Sequence, residues 1–172
     1  MNRKHARYGP PDRYLPPPGA GMCVSVFAVV KRDTKVLVGV PRRRQRWTSE
    51  WVSGWLMYSN KELKEIYRQT RLPSSYLLEG EHPDHALLRV MRDQLGIENF
   101  SAQAPQIMSY NSPSDWYPGN LHWDLVFAYR VKTSGSPEKF PWWQELAFLG
   151  RQELRKKDLG WNEDMMKDLG LV

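Results

Sequence analysis

The apolar and polar positions divide the chain into a short series of elements. Residues 22–30 form an almost unbroken apolar run rich in β-branched side chains, and residues 35–40 form a second. Lys31-Arg32-Asp33-Thr34 joins them, so the pattern predicts a β-hairpin. Residues 51–58 read as a third strand. Ser59 followed by Glu62 is a capping-box signal for a short helix over 61–69. Tyr76-Leu77-Leu78 reads as extended. The next segment carries the clearest helical period: Leu87, Leu88, Met91 and Leu95 share one stripe, expected to pack inward. Pro83 suits the first turn, Asp84 sits where the helix dipole favours negative charge, and Gly96 supplies the stop. Strands are predicted over 106–110 and 121–131, with a loop over 112–120 between them, and a last strand over 143–149. A terminal helix over 162–169 is expected to be capped by Asn162 and stopped by Gly170. Mixed strands among a few helices indicate a layered α/β (α+β) domain over residues 21–172.

Composition adds an appendage to this domain. Residues 1–20 carry Arg3, Lys4, Arg7 and Arg13 among Pro10, Pro11, Pro16, Pro17 and Pro18, a composition that cannot build a core and predicts a basic, proline-rich arm. The remaining length is enough for one domain with a real core. Apolar runs are strand-sized, too short to cross a membrane, and no apolar stretch follows the basic start as in a secretory signal. One cysteine, Cys23, rules out an internal disulfide framework. A cytoplasmic protein is therefore expected, with Cys23 an inert thiol in the first strand. The net charge of +6 favours anionic partners. Part of it lies in Arg42-Arg43-Arg44-Gln45-Arg46, a run that suits either a solvated face or phosphate oxygens.

Candidate chemistry concentrates in residues 75–97. Ser75, Glu81, Arg89, Met91, Gly96 and Ile97 stand in ungapped register with a pattern of Gly, five residues, Glu, seven residues, then Arg-Glu-apolar-x-Glu-Glu-x-Gly-apolar. Pro73, Gly80, Pro83 and Ala86 add to the match. The segment resembles the Nudix box, and the order of strands and helices around it resembles the rest of that fold. The resemblance implies an α/β/α sandwich with a mixed sheet. It also implies hydrolysis of a nucleoside diphosphate linked to another moiety, assisted by Mg²⁺ or Mn²⁺. Attack of water on phosphorus between anionic oxygens needs hard cations, and these take carboxylate oxygens. Three carboxylates at i, i+3 and i+4 share one helical sector.

In this chain that sector reads Val90, Asp93 and Gln94. The resemblance then implies metal ligands at Glu81 and Asp93, with a neutral oxygen from Gln94, and catalytic roles for Glu81, Arg89 and Asp93. Arg89 is expected to orient Glu81, or to pair with Asp93 four residues on. Arg43, Arg44 and Arg46 are candidate phosphate contacts, and Trp47 and Trp116 candidate stacking residues. Glu79, Asp84, Glu98, Asp115, Asp124, His82 and His85 are possible replacement donors that read first as ordinary surface or capping residues. Three functions follow. The first is a Nudix-type hydrolase with a degenerate metal site. The second is an inactive module of the same fold binding a nucleotide or protein partner. The third is a basic nucleic-acid-associated protein. A homodimer is compatible with each.

Overall fold

In the computed structural model the described residues are 22–42, 68–78, 80–113, 121–138, 143–160 and 162–172. They form seven strands in one mixed sheet: β1 (Met22–Arg32), β2 (Lys35–Pro41), β3 (Ser74–Tyr76), β4 (Ser101–Ala102), β5 (Gln106–Pro113), β6 (Leu121–Lys132) and β7 (Trp143–Leu149). The helices are α1 (Pro83–Arg89), a π-helix continuing it (Val90–Gln94), α2 (Arg151–Leu154) and α3 (Asn162–Asp168). The path through the sheet is β4-β6-β1-β2-β7, with β3 added to β1 and β5 to β6. β1 runs parallel to β6 over nine residue pairs, from Met22↔Trp123 to Val30↔Val131, and antiparallel to β2 and β3.

The unbroken apolar run of β1 has a direct cause. β1 is central, and both of its faces are covered, so alternation has nothing polar to alternate with. Val24, Val26, Ala28 and Val30 pack with Leu87, Val90, Met91 and Leu95 on the α1 side. Phe27 and Val29 pack with Leu154, Met165, Met166 and Leu169 on the α2–α3 side. The same division splits β6, whose Tyr129 and Val131 face α1 while Val126 and Ala128 face α3. Two apolar cores on either side of one sheet make the α/β/α sandwich expected from the sequence. None of the helices in the described residues is long and apolar enough to cross a membrane.

Most predicted elements are present, with several corrections. Leu88 is 52% exposed, so the inward stripe consists of Leu87, Met91 and Leu95 together with Ala86 and Val90. The predicted single helix changes character after Arg89, where the five-residue π-helix widens the turn. Ser112 and Pro113 belong to β5 rather than to a loop, and β4 and α2 had no signal strong enough to predict them. Asn162 lies within the first turn of α3, and its Nδ2 donates back to the Leu159 carbonyl instead of capping. The helix start at α1 is capped by His82, whose Nδ1 accepts from the Asp84 N–H at 3.2 Å. The arm over 1–20, the strand over 51–58 and most of the helix over 61–69 lie outside the described residues, and Arg68 and Gln69 lie in a turn and bend.

Gly39 shows how tightly the β2–β7 edge is closed. Its N–H and carbonyl both bond to the backbone of Arg71, at 2.9 and 2.8 Å. A β-carbon there would stand 2.7 Å from the Glu145 carbonyl oxygen and closer still to the Trp143 ring. Because the Trp143 indole is buried and its Nε1 bonds to the Gln94 carbonyl, it has no room to give way. Gly39→Ala is therefore expected to cost about 1–3 kcal/mol, read as a lower midpoint in urea or thermal unfolding. An unchanged midpoint would show that this edge relaxes freely.

Candidate functional site

The residues of the box converge on one guanidinium group. β3 delivers Ser75 and the Tyr76 carbonyl, the turn at Gly80 (φ 75°) brings Glu81 back, and α1 carries Arg89 across to meet them. Arg89 Nε donates to Glu81 Oε1 at 3.0 Å and Nη2 to Glu81 Oε2 at 2.8 Å, the two-pronged geometry that suits a carboxylate. Nη2 also donates to the Tyr76 carbonyl at 2.9 Å, and Nη1 to Ser75 Oγ at 2.6 Å. Glu81 Oε2 accepts a further bond, from the Leu78 N–H at 2.8 Å. Both side chains are largely shielded, at 22% exposure for Arg89 and 12% for Glu81. Burial alone would raise the Glu81 pKa. The Arg89 and Leu78 hydrogen bonds, with the positive charge of Arg89 and a smaller contribution from His85, more than offset it and hold the carboxyl below its ordinary 4.5.

Ser75 stands where the resemblance places a glycine, yet its backbone is extended and pairs with Val26 in the sheet. Its hydroxyl accepts from Arg89 and donates to the Tyr76 carbonyl at 3.1 Å. The serine is thus a working part of the clamp, and no backbone freedom is required of it.

The other box residues do not join this group. Asp93 pairs with its neighbour Arg92, Oδ1 to Nε at 2.7 Å, and its side chain is 41% exposed. The helical pair between Arg89 and Asp93 is absent, because Arg89 is fully engaged by Glu81 and β3. Val90 is completely buried in the α1-side core. Gln94 is buried as well: its Nε2 donates to the Ser74 carbonyl at 2.7 Å, while its Oε1 is shielded and has no hydrogen-bond partner. All three positions lie in the π-helical turn. Within that turn each side chain has gone to a different partner: Val90 to the core, Asp93 to Arg92 and Gln94 to the Ser74 carbonyl.

These residues do not fit a divalent cation. Glu81 has both oxygens committed, Asp93 is drawn off to Arg92, and Gln94 offers one neutral oxygen. Among the described residues no three His, Cys, Asp or Glu side chains group as metal donors. Of the possible replacements, Asp84 accepts from the Tyr129 hydroxyl, Glu98 is exposed, and Asp124 lies in β6. Glu79, Asp115, Arg43, Arg44, Arg46, Trp47 and Trp116 lie outside the described residues, while Arg42 is exposed just beyond β2. Sequence reasoning missed the roles of Ser75 and of the Tyr76 and Leu78 backbone, for which only the Glu81–Arg89 spacing gave a signal.

No protein-family model and no curated protein sequence matches the chain. Solved structures do. The chain is similar to a MutT protein from Methanosarcina mazei Go1, at 11% identity and a TM-score of 0.60 over 88% of this chain and 95% of that one. It is also similar to the NUDIX domain of Shewanella oneidensis NrtR complexed with ADP ribose, at 12% identity and 0.59 over 92% of both chains. A third is a C. elegans Ap4A hydrolase binary complex, at 10% identity and 0.53 over 86% of this chain and 93% of that one. The chain therefore has the Nudix fold, with the mixed sheet and few helices that its own elements define.

Two expected outcomes test the site. Because the folded pKa of Glu81 is depressed, its stabilising contribution is fully present above the ordinary 4.5 and disappears as pH falls through the folded value. Glu81→Gln should cost about 2 kcal/mol at pH 7, and the gap from wild type should narrow below pH 4.5 in urea unfolding at stepped pH. Conversely, Val90→Glu, which restores a motif carboxylate, should destabilise by about 3 kcal/mol or more because it buries an unpaired charge. Calorimetry would read this as a melting temperature lower by about 6–12 °C, with the penalty shrinking toward low pH. A Val90→Glu protein as stable as wild type would mean that position 90 faces solvent.

Proposed function

We propose that this chain is a Nudix-fold module that binds a nucleoside-diphosphate-type ligand and does not depend on Mg²⁺ or Mn²⁺ to hold it. The observation that carries this reading is the fate of the helical sector: Val90 is given to the core, Gln94 is bonded to Ser74, and Asp93 is paired with Arg92. The ligand class rests on the fold, whose neighbours include a NUDIX domain complexed with ADP ribose and an Ap4A hydrolase. It rests as well on the net charge of +6, which favours anions. In this reading residues 1–20 are a basic arm beside one domain over 21–172, and Arg43, Arg44 and Arg46 contact phosphate with Trp47 and Trp116 near the base. The strand-sized apolar runs and single cysteine suit a cytoplasmic setting.

Hydrolysis is the competing reading, and the intact Glu81–Arg89 clamp is what favours it. The two separate cleanly. ADP-ribose, UDP-glucose and diadenosine tetraphosphate are titrated calorimetrically in EDTA and in Mn²⁺, and each mixture is then chromatographed for products. Binding of at least one compound that is unaffected by EDTA, without product, is expected. Mn²⁺-dependent cleavage abolished by Glu81→Gln would establish the hydrolase instead, and absence of both binding and cleavage would remove the nucleotide reading altogether.

A further inference from the structure

The large apolar side chains exposed among the described residues are Leu88 at 52% and Ile107 at 61%. Leu88 lines a cavity, and Ile107 is the cross-strand partner of Phe127, another of its walls. A cleft of about 580 Å³ opens between α1, the segment around β4, and β6, with Leu87, Leu88, Phe100, Phe127 and Tyr129 as its apolar walls. Ile107 is directly opposite Phe127 in the β5–β6 register, so the two side chains share that face of the sheet beside the cleft. The volume falls in the range of small-molecule sites, roughly 300–1,000 Å³. Two exposed apolar residues are too few for the core of a stable protein interface, which takes roughly 20–30 residues a side.

The cleft is separate from the Glu81–Arg89 clamp. Asp84, Leu87 and Leu88 share one stripe of α1, and Arg89, five residues after Asp84, lies about 140° round the helix. Its polar rim is built from different groups. The Tyr129 hydroxyl donates to Asp84 Oδ1 at 2.6 Å, which fixes the carboxylate at the mouth of the cleft. The Asp84 side chain is 63% exposed, and Oδ2, 3.5 Å from His82 Nδ1, keeps lone-pair room to accept from a ligand. His82 Nδ1 accepts the Asp84 N–H, which in the neutral ring leaves the proton on Nε2, and the Gln103 amide is also at the cleft.

We infer that this cleft is a second binding site, for a planar aromatic N-heterocycle that carries an N–H donor on its edge. Aromatic and leucine walls take the ring, and stacking on them tolerates any flat π-system. The carboxylate at Asp84 Oδ2 selects for the donor, since a bond to a charged acceptor is the stronger kind. The inference is independent of the proposed nucleotide site, because it invokes no phosphate and no residue of the clamp.

The test uses adenine methylated at N9, whose amino group is then its sole N–H donor and which has no phosphate, against its N6,N6-dimethyl derivative, which lacks that donor. Methyl resonances of Leu88 and Ile107 are followed by ¹³C NMR on the full chain. The methyladenine should shift both resonances, and the dimethyl derivative should bind about tenfold more weakly. In Asp84→Asn, whose carbonyl still accepts from Tyr129, that preference should vanish. Leu88→Ser should weaken both compounds while the melting temperature stays unchanged, since Leu88 is already half exposed. No shift at Leu88 and Ile107 with the methyladenine would overturn the inference. So would shifts that follow protein concentration without ligand, which would mark the face as a contact between two copies. Loss of ADP-ribose binding alone would leave it standing.

Discussion

The arrangement of this domain around its box depends on one guanidinium group. Arg89 makes four hydrogen bonds to three different partners, the Glu81 carboxylate, Ser75 Oγ and the Tyr76 carbonyl. The partners lie on β3 and on the turn that follows it, and Arg89 reaches them from α1, so one group ties three consecutive segments together. A lysine at 89 would present a point charge and satisfy one of them; only a planar fork reaches all three. The Leu78 N–H completes the set by bonding to the same carboxylate. Because both charged groups are shielded, losing either partner would strand the other in a poorly solvated place, so the clamp acts as a unit.

Packing takes over where the clamp ends. Immediately after Arg89 the helix widens, and Val90, Met91 and Leu95 enter the core that also holds Val24, Val26, Ala28 and Val30 of β1. Gln94 then links three elements: its side chain bonds to Ser74 at the start of β3, and its carbonyl accepts from Trp143 of β7. A residue that could serve as a ligand elsewhere is here a cross-brace between the helix, the strand that feeds the clamp, and the far edge of the sheet. The change from the motif at positions 90 and 94 is therefore more than a loss of charge. Those positions have acquired structural work that charged side chains could not do in the same place.

Much of this was legible in the chain. The paired apolar runs of β1 and β2, the helical stripe with Pro83 and Gly96 at its ends, and the Glu81–Arg89 spacing all point to the observed layers and to the clamp. What was not legible depends on geometry that side-chain identity does not encode locally. Leu88 fits an α-helical stripe as well as Leu87 does, and only the placement of the helix on the sheet decides which of them is covered. The π-helix leaves no mark in the pattern Val90-Met91-Arg92-Asp93-Gln94, and neither does the burial of Gln94 beside the half-exposed Asp93. Asp93 likewise finds Arg92 next to it rather than Arg89 four residues back, because Glu81 has already claimed Arg89 from a distance of eight residues.

The same helix thus presents two chemically different sides, and their difference bears on what the fold is used for. On one side the polar groups are spent on each other: Arg89, Glu81 and Ser75 form closed bonds. On the other side Asp84 is held by Tyr129 at one oxygen and only by a long, exposed contact to His82 at the other, and Leu88 stays exposed above an aromatic-walled cleft. Interactions that are already satisfied stabilise a fold, whereas open acceptors beside uncovered apolar surface are what a ligand can still complete. A helix braced on one side by closed bonds keeps its place, and with it the concave surface on its other side. The helix that carries the box is held in place by Arg89 from within the chain, so the shape of the cleft on its other side does not depend on a cation bound beside Glu81.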